Sequence, residues 1–496
     1  MDHPLSLLAY DLGAESGRAI LGRFDGSRLQ LDDIHRFPNQ PVYLPDGMHW
    51  DALRILTEIK RGLSMVVQNY GSPPDGLGID TWGVDFGLLD AQGVLIGNPY
   101  HYRDSRTDGM LEEAFGRVAR AEIFNQTGIQ FMQLNSLYQL LSMVISRSPG
   151  LEIAKTFLTM PDLFNYWLTG RKACEFTNAT TTQCYDPRRG GWAYPLLEAL
   201  HIPTHIFPEI VQPGSVLATL SPAVADELNI ARIPVIPPAS HDTGSAVAAV
   251  PATGGSGNDF AWLSSGTWSI MGVESTVPVI NEQTLAFNMT NEGGAGGMIR
   301  LSKNIMGLWL VQECRRTWAR LGEDLSYEEL TRLAAAAPPL QSLVDPDAPD
   351  FLKPGDMPAR ILAFCARTHQ PVPIGKGEMV RCILESLALK YRNVLEYLQK
   401  VLGRQLGVIH IVGGGTQNRL LSQFSADATG RQVITGPVEA TATGNLLMQA
   451  LALGHIRSLA EGRELVRRSF TLETFEPSTA HAAWDEAYER MLGIIV

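Results

Sequence analysis

At 496 residues the chain is longer than one hydrophobic core sustains, so two domains are the first expectation. Hydrophobic residues make up 45% of it and charged residues 19%, enough to build packed cores and to exclude a disordered chain. The formal net charge of −12 argues against nucleic acid or an anionic membrane as partner; an anionic nucleotide stays admissible, because backbone N–H groups and a few local cations suffice to hold it.

The opening "MDHPLSLLAYDLG" carries an early acid and a proline and breaks off at Asp11, so it reads as neither a signal peptide nor a membrane anchor. No later apolar run reaches the ~20 residues that span a bilayer. The five cysteines, at 174, 184, 314, 365 and 382, are scattered without C-x-x-C spacing, which fits a reducing cytoplasm and no zinc site. From Ser6 the pattern predicts three short strands broken by Gly/Ser turns, then a helix over "LRILTEIKRGLSMVVQNYG", then strand and turn in "GIDTWGVDFGLLD" (78–90). Far downstream "DFAWLSSGTWSIMGVES" (259–275) repeats the opening design of apolar strand, small polar turn and apolar strand. One such unit per half predicts two related domains, 1–250 and 251–496, joined at "PATGGSGN" (251–258). The second half reads as mainly helical through "NIMGLWLVQECRRTWARLG" and "YEELTRLAAAA". A Pro/Asp-rich surface crossing is expected next, "APPLQSLVDPDAPDFLKPGDMP", then a long amphipathic helix and the strand "GVIHIVGGGTQN". Strands alternating with helices in this way predict an α/β architecture.

Two familiar labels fail. Asp85-Phe86-Gly87 spells the protein-kinase triplet without the rest of that signature, and Gly375-Lys376-Gly377 lacks both the loop and the hydroxyl of a P-loop. "DLGAESGR" (11–18) is more informative. Asp11 closes an apolar strand, the next residues are small, and a tight turn there offers backbone N–H groups to phosphate with Arg18 to neutralise it. The alternative is an ordinary hairpin. "SSGT" (264–267) has the same chemistry in the second half. In "IVGGGTQN" (411–418), three glycines between a strand and a helix let a flat ring or ribose lie against bare backbone, more than a plain turn needs. Trp82 beside Asp80 and Asp85 suits a sugar, or an edge strand with its Trp in the core. "HYRDSRT" (101–107) suits a hydroxylated ligand, or a salt-bridged loop. Asp242, in "VIPPASHDTGSAVAAV", is a carboxylate in small apolar surroundings. It is either a base for an alcohol or the cap of a helix that starts there.

Taken together, "YDLGAESGR", "GIDTWGVDFGLLD", "YRDSRT", "TNATTTQ", "SHDTGSAV", "LSSGTWS", "NEGGAGG", "KNIMGLWL" and "IVGGGTQN", in that order and over essentially the whole chain, resemble the FGGY group of sugar kinases. The resemblance implies an α/β fold of two actin-like (ribonuclease H-like) ATPase domains with a cleft between them, and transfer of the ATP γ-phosphate to a sugar hydroxyl with Mg²⁺. "DTWGVDF", "YRDSRT" and "KNIMGLWL" point within the group to members acting on the C1 hydroxyl of L-rhamnulose; another ketose, such as L-fuculose or L-xylulose, is the alternative. By the same resemblance Asp242 is the catalytic base, and Gly83, His241, Thr243 and Asn304 join it in contacting the sugar. Ala14, Glu15, Ser16, Gly17, Arg18 and Thr267 grip phosphate, Gln312 and Gly414 lie on the ATP side, and Asp11 belongs to the metal–phosphate network, indirectly. Glu15 departs from the group, which favours a small hydroxyl residue there, and a carboxylate beside phosphate is repulsive. A sugar-sensing regulator on the same scaffold would need a basic DNA-binding module, and a chaperone-like ATPase a peptide-binding domain; neither is visible in the sequence.

Overall fold

The computed structural model describes residues 4–253, 259–479 and 481–495. Two compact units form, each discontinuous in sequence. The first takes Met1–Thr253, Glu274–Leu301 and Ala440–Phe470; the second takes Gly254–Val273, Ser302–Glu439 and Thr471–Val496. The junction expected at 251–258 falls mostly on residues 254–258, outside the described residues.

In the first unit, strand Leu5–Leu12 pairs antiparallel with Ser16–Phe24, which pairs antiparallel with Leu29–Pro38, as the three early apolar runs predict. On its other side Leu5–Leu12 runs parallel to Gly76–Thr81, and the sheet continues through Pro234–Val235 to Ala218–Thr219. Helix Ala52–Tyr70 packs its apolar stripe, Ile55, Ile59, Leu63 and Val66, into the core, and Asp51 caps it by accepting the Arg54 N–H. The Tyr10 hydroxyl ties the first strand to that helix by donating to the Ile59 carbonyl at 2.6 Å. Helix Ala440–Ala452 returns from far along the chain to cover the same strand, and Gln449 donates to the Leu8 carbonyl at 2.9 Å.

The second unit repeats the design. Phe260–Ser265 pairs antiparallel with Trp268–Ser275 and parallel with Val408–Val412, followed by Gln432–Thr435 in parallel and Glu473–Phe475 antiparallel. The long helix expected near 378–403 is Lys376–Leu402. Two local expectations change. "NIM" is not helical: Ile299–Met306 is a strand, with apolar Ile299, Leu301 and Ile305 on alternating positions interrupted by Lys303, and the helix starts only at Trp309, after Gly307. The Pro/Asp-rich segment is not a surface crossing, because Leu343, Val344, Asp345 and Phe351 are buried. Its backbone can be buried because side chains receive its N–H groups: Glu385 takes Leu340, Gln370 takes Leu343 and Ser386 takes Val344. Among the described residues, no helix is long and apolar enough to cross a membrane.

Candidate active site

Two adjacent strand ends and a helix start beside them bring acids together in the first unit. Asp11 and Asp80 are register partners on parallel strands, and the next segment joins where Thr81 N–H donates to the Ser240 carbonyl at 2.9 Å, one residue before His241 and two before Asp242. Carboxyl ends of parallel strands are where open α/β sheets place their ligands. Asp11 is nearly buried and accepts from Arg18 Nη2 at 2.8 Å, so the arginine expected to neutralise phosphate is engaged with the acid directly across the hairpin. Ala14 and Glu15 form the turn beside that pair, and Ser16 and Gly17 open the strand that follows it. The turn's shape is held by Gly13 N–H on the Ser16 carbonyl and by Asn39, whose side chain donates to the Gly13 carbonyl at 2.8 Å. Asp80 is fully buried; Oδ2 accepts from Asn445 at 2.6 Å and Oδ1 has no partner among the described residues. Burial first, then the charges of Asp11 and Asp242, push its carboxyl well above the usual carboxylate range, against the Asn445 hydrogen bond and the Arg18 charge.

Asp242 opens helix Asp242–Ala248 as its first residue; the cap position belongs to His241, which makes no side-chain cap. The carboxylate uses Oδ1 locally, accepting from the backbone N–H and the hydroxyl of Thr243, while Oδ2 has no hydrogen bond to any described residue. With 31% of its side chain exposed, the acid is open to a ligand, and it does not serve as a helix cap. The sequence held no evident role for "TNATTTQ", and the structure supplies one. Helix Phe176–Thr181 is wholly buried and capped by Glu175, whose Oε2 also accepts the Ser240 N–H at 3.0 Å. Thr177 Oγ1 accepts the His241 N–H at 3.1 Å, and Asn178 donates to the Ser240 carbonyl at 3.3 Å. The backbone leading to Asp242 is thus held at three points. Burial raises Glu175 to about 7, against the hydrogen bonds from Thr177, Ser240 and Asn178 that favour its ionised form.

Gly83 sits in a tight turn: a Cβ there would meet the Thr181 side chain at 3.0 Å, and Thr181 Oγ1 accepts the Val84 N–H at 3.0 Å. Val84 follows with φ of 69°, a left-handed backbone that β-branched residues avoid, pinned further by Ser136 and Gln139 on its carbonyl. Neither Trp82 nor Asp85 is open to a sugar. Both are buried, and Asp85 accepts from Trp50, Trp82, Gln139 and the Tyr102 N–H. "HYRDSRT" is likewise packed: His101 stacks on Trp50 and Asp104 accepts the Met48 and Arg106 N–H groups.

Thr267, Asn304, Gln312 and Gly414 lie in the second unit. The Thr267 carbonyl, at the hairpin turn, accepts from the N–H groups of Gly307 and Trp309, which joins that turn to the start of helix Trp309–Arg320. Gln312 on this helix has a buried Oε1 without a partner among the described residues, the kind of orphaned acceptor that a ligand N–H satisfies. Asn304 lies on the edge of burial in strand Ile299–Met306. In the glycine triplet, Gly413 has φ of 89° and a Cβ on Gly415 would strike Ser265, whereas a Cβ on Gly414 would meet nothing. Two glycines serve the turn itself, and Gly414 leaves exposed bare backbone. Among the described residues no cluster of three or more His, Cys, Asp or Glu is arranged for a metal.

The residues that the sequence did not single out are Asp80 as a buried partner of the acids, Glu175 and Thr177 as clamps, and Glu292 and Arg300 behind His241. Arg300 had a visible signal: a cation within the apolar run "GGMIRL" must have a partner when buried.

Residues 6–249 match the FGGY family of carbohydrate kinases, N-terminal domain, and residues 261–453 match its C-terminal domain. The rhamnulokinase of Bacteroides thetaiotaomicron is 45% identical over 483 residues, 97% of this chain and 98% of that protein. That of Oceanobacillus iheyensis is 40% identical over 472 residues, covering 95% and 98%. Among solved structures, ligand-bound xylulose kinase from Lactobacillus acidophilus superposes with a TM-score of 0.82 at 16% identity, covering 99% of this chain and 97% of that one. Plasmodium falciparum glycerol kinase with ADP reaches 0.76 at 16% identity, covering 99% of each. These distant structures share the two-domain α/β fold expected of an actin-like kinase. By both halves of its sequence and by its full-length relatives, the chain belongs to the FGGY family of carbohydrate kinases.

Proposed function

We propose that this carbohydrate kinase transfers the γ-phosphoryl group of ATP to the C1 hydroxyl of L-rhamnulose. The observation that carries the reading is the Asp242 carboxylate, partly open and with Oδ2 uncommitted, in a chain 45% identical to the Bacteroides thetaiotaomicron rhamnulokinase over nearly its whole length. Phosphoryl transfer asks a protein mainly to position its reactants and to stabilise charge. Asp242 Oδ2 accepts the C1 hydroxyl proton as that oxygen bonds to the γ-phosphorus and the bond to the ADP oxygen breaks. His241, Thr243, Gly83 and Asn304 contact the sugar; residues 14–18, Thr267, Gln312 and Gly414 hold the nucleotide. ATP enters as its Mg²⁺ complex. Asp11, paired with Arg18, would hold the ion only indirectly, and Mg²⁺ when bound would supply charge neutralisation on the phosphate oxygens. The reading includes a cytoplasmic location and no nucleic-acid partner.

The test is a ketose panel of L-rhamnulose, L-fuculose and L-xylulose in an ADP-release assay, with the phosphorylated carbon of the product located by NMR. The expected result is the highest kcat/KM on L-rhamnulose, with phosphate on C1. A preference for another ketose, or phosphate on another carbon, contradicts the substrate assignment.

A further inference from the structure

Behind His241 lies a buried group of charges for which the phosphoryl-transfer chemistry has no direct use. Arg300 is fully buried; it donates Nε–H to the Gly293 carbonyl at 2.7 Å and shares Nη2 between Glu292 Oε2 at 3.0 Å and His241 Nδ1 at 2.9 Å. Glu292 Oε2 also lies 3.2 Å from Nδ1, but the hydrogen bond to that ring nitrogen comes from Arg300. Thr290 donates to Glu292 Oε1 at 3.2 Å, and Gly293 N–H is held by Thr180 Oγ1 at 2.8 Å, which fixes the strand that carries the acid.

A guanidinium nitrogen has hydrogens and no lone pair to offer, and arginine does not deprotonate in proteins. An imidazole nitrogen 2.9 Å from it must therefore present its own lone pair. Were Nδ1 protonated, two N–H groups would point at each other inside the core. With Nδ1 accepting, the ring is neutral and its proton sits on Nε2. That nitrogen makes no hydrogen bond within the described residues. Asp242 Oδ1 is 3.5 Å away and already receives the Thr243 N–H, and 9% of the ring's side chain remains open. The geometry points to Arg300 as a positioning residue that fixes His241 in its Nε2–H tautomer, so that the ring donates a hydrogen bond to an oxygen of the ketose held at Asp242, while Glu292 anchors Arg300. The charged groups facing this ring and its partner are Asp242, Glu292, Arg300, Glu175 and Glu274. Burial would raise Glu292, but the Arg300 charge and the Thr290 hydrogen bond act against it and favour the ionised form of the anchor. The ketose as acceptor rests on the proposed function; the tautomer does not.

The experiment is a long-range ¹H–¹⁵N spectrum of the full chain labelled at histidine nitrogen, with the His241 signals assigned by their loss in His241→Gln. At pH 7 the expected pattern is an unprotonated Nδ1 and a protonated Nε2; a protonated Nδ1, alone or in an imidazolium, overturns the proposal. Arg300→Lys, which keeps the charge but loses the fork that holds the Gly293 carbonyl with Nε and so aims Nη2 at His241 and Glu292, is expected to shift the tautomer. It should raise KM for L-rhamnulose about tenfold with kcat nearly unchanged, as loss of one substrate hydrogen bond implies. An unchanged spectrum and KM in that variant also overturn it. If the wild-type spectrum is as expected but L-rhamnulose is not phosphorylated, the substrate reading alone fails.

Discussion

The turn at Gly83–Val84 shows how single residues hold the site. A valine at φ of 69° costs about 1–3 kcal/mol and persists only where its surroundings over-determine it, here through Thr181 on its N–H and Ser136 and Gln139 on its carbonyl. Thr181→Val removes one of these restraints and frees the turn that carries Gly83. KM for the sugar is expected to rise about tenfold, with kcat at saturation little changed; an unaltered KM would show that the turn does not touch the sugar. Glu292 gives a second test, through pH. Its carboxyl is held at about 2 against an ordinary 4.5, so it stabilises the fold fully above pH 4.5, and this contribution is lost as pH falls from 4.5 towards 2. In urea titrations the advantage of wild type over Glu292→Gln is therefore expected to shrink across that window. A constant advantage would mean that Glu292 is not held ionised by its neighbours. Asp242 stood out in the sequence as an acid in an apolar run, whereas a role for His241 came only with the family resemblance. The sequence left Trp82 and Asp85 open between ligand and core, since an indole N–H bound to a buried carboxylate looks, in one dimension, like a sugar platform.

At the scale of elements, Asp242 owes its place to helix packing. Helix Ala440–Ala452 crosses helix Asp242–Ala248 so closely that a Cβ on Gly444 would lie 1.8 Å from the Ser245 carbonyl oxygen. The same helix stitches the strand ends: Asn445 donates to Asp80 and to the Gly78 carbonyl, and Gln449 to Asn445 and the Leu8 carbonyl. Gly444→Ala forces the helices apart and is expected to cost about 1–3 kcal/mol by overpacking. Because the shift reaches the base, kcat should fall along with the melting temperature. A fall in neither would contradict the close crossing. Hairpins and long amphipathic helices were legible because their signals are local: period two, period 3.6, and punctuating Gly or Asp. The strand Ile299–Met306 was misread because "NIMGLWL" carries apolar residues that suit either period until Gly307 divides them.

For the whole molecule, the duplicated strand–turn–strand pattern did announce two similar halves, and both units contain that hairpin with a parallel strand beside it. What the sequence hid was which distant segments join which unit. Asn445 meets Asp80 across 365 residues, and 274–301 and 440–470 both belong with the N-terminal unit. Such pairings leave no local periodicity, because they depend on burial and partner choice between segments far apart in sequence. The central claim, that Asp242 removes the proton from the sugar hydroxyl, is tested most directly by the turnover of Asp242→Asn. The amide keeps the shape and the neighbouring contacts but cannot take a proton at Oδ2. The kcat for L-rhamnulose is expected to fall by about a hundredfold or more while calorimetric binding of sugar and ATP persists; turnover within a few fold of wild type would mean that Asp242 is not the base.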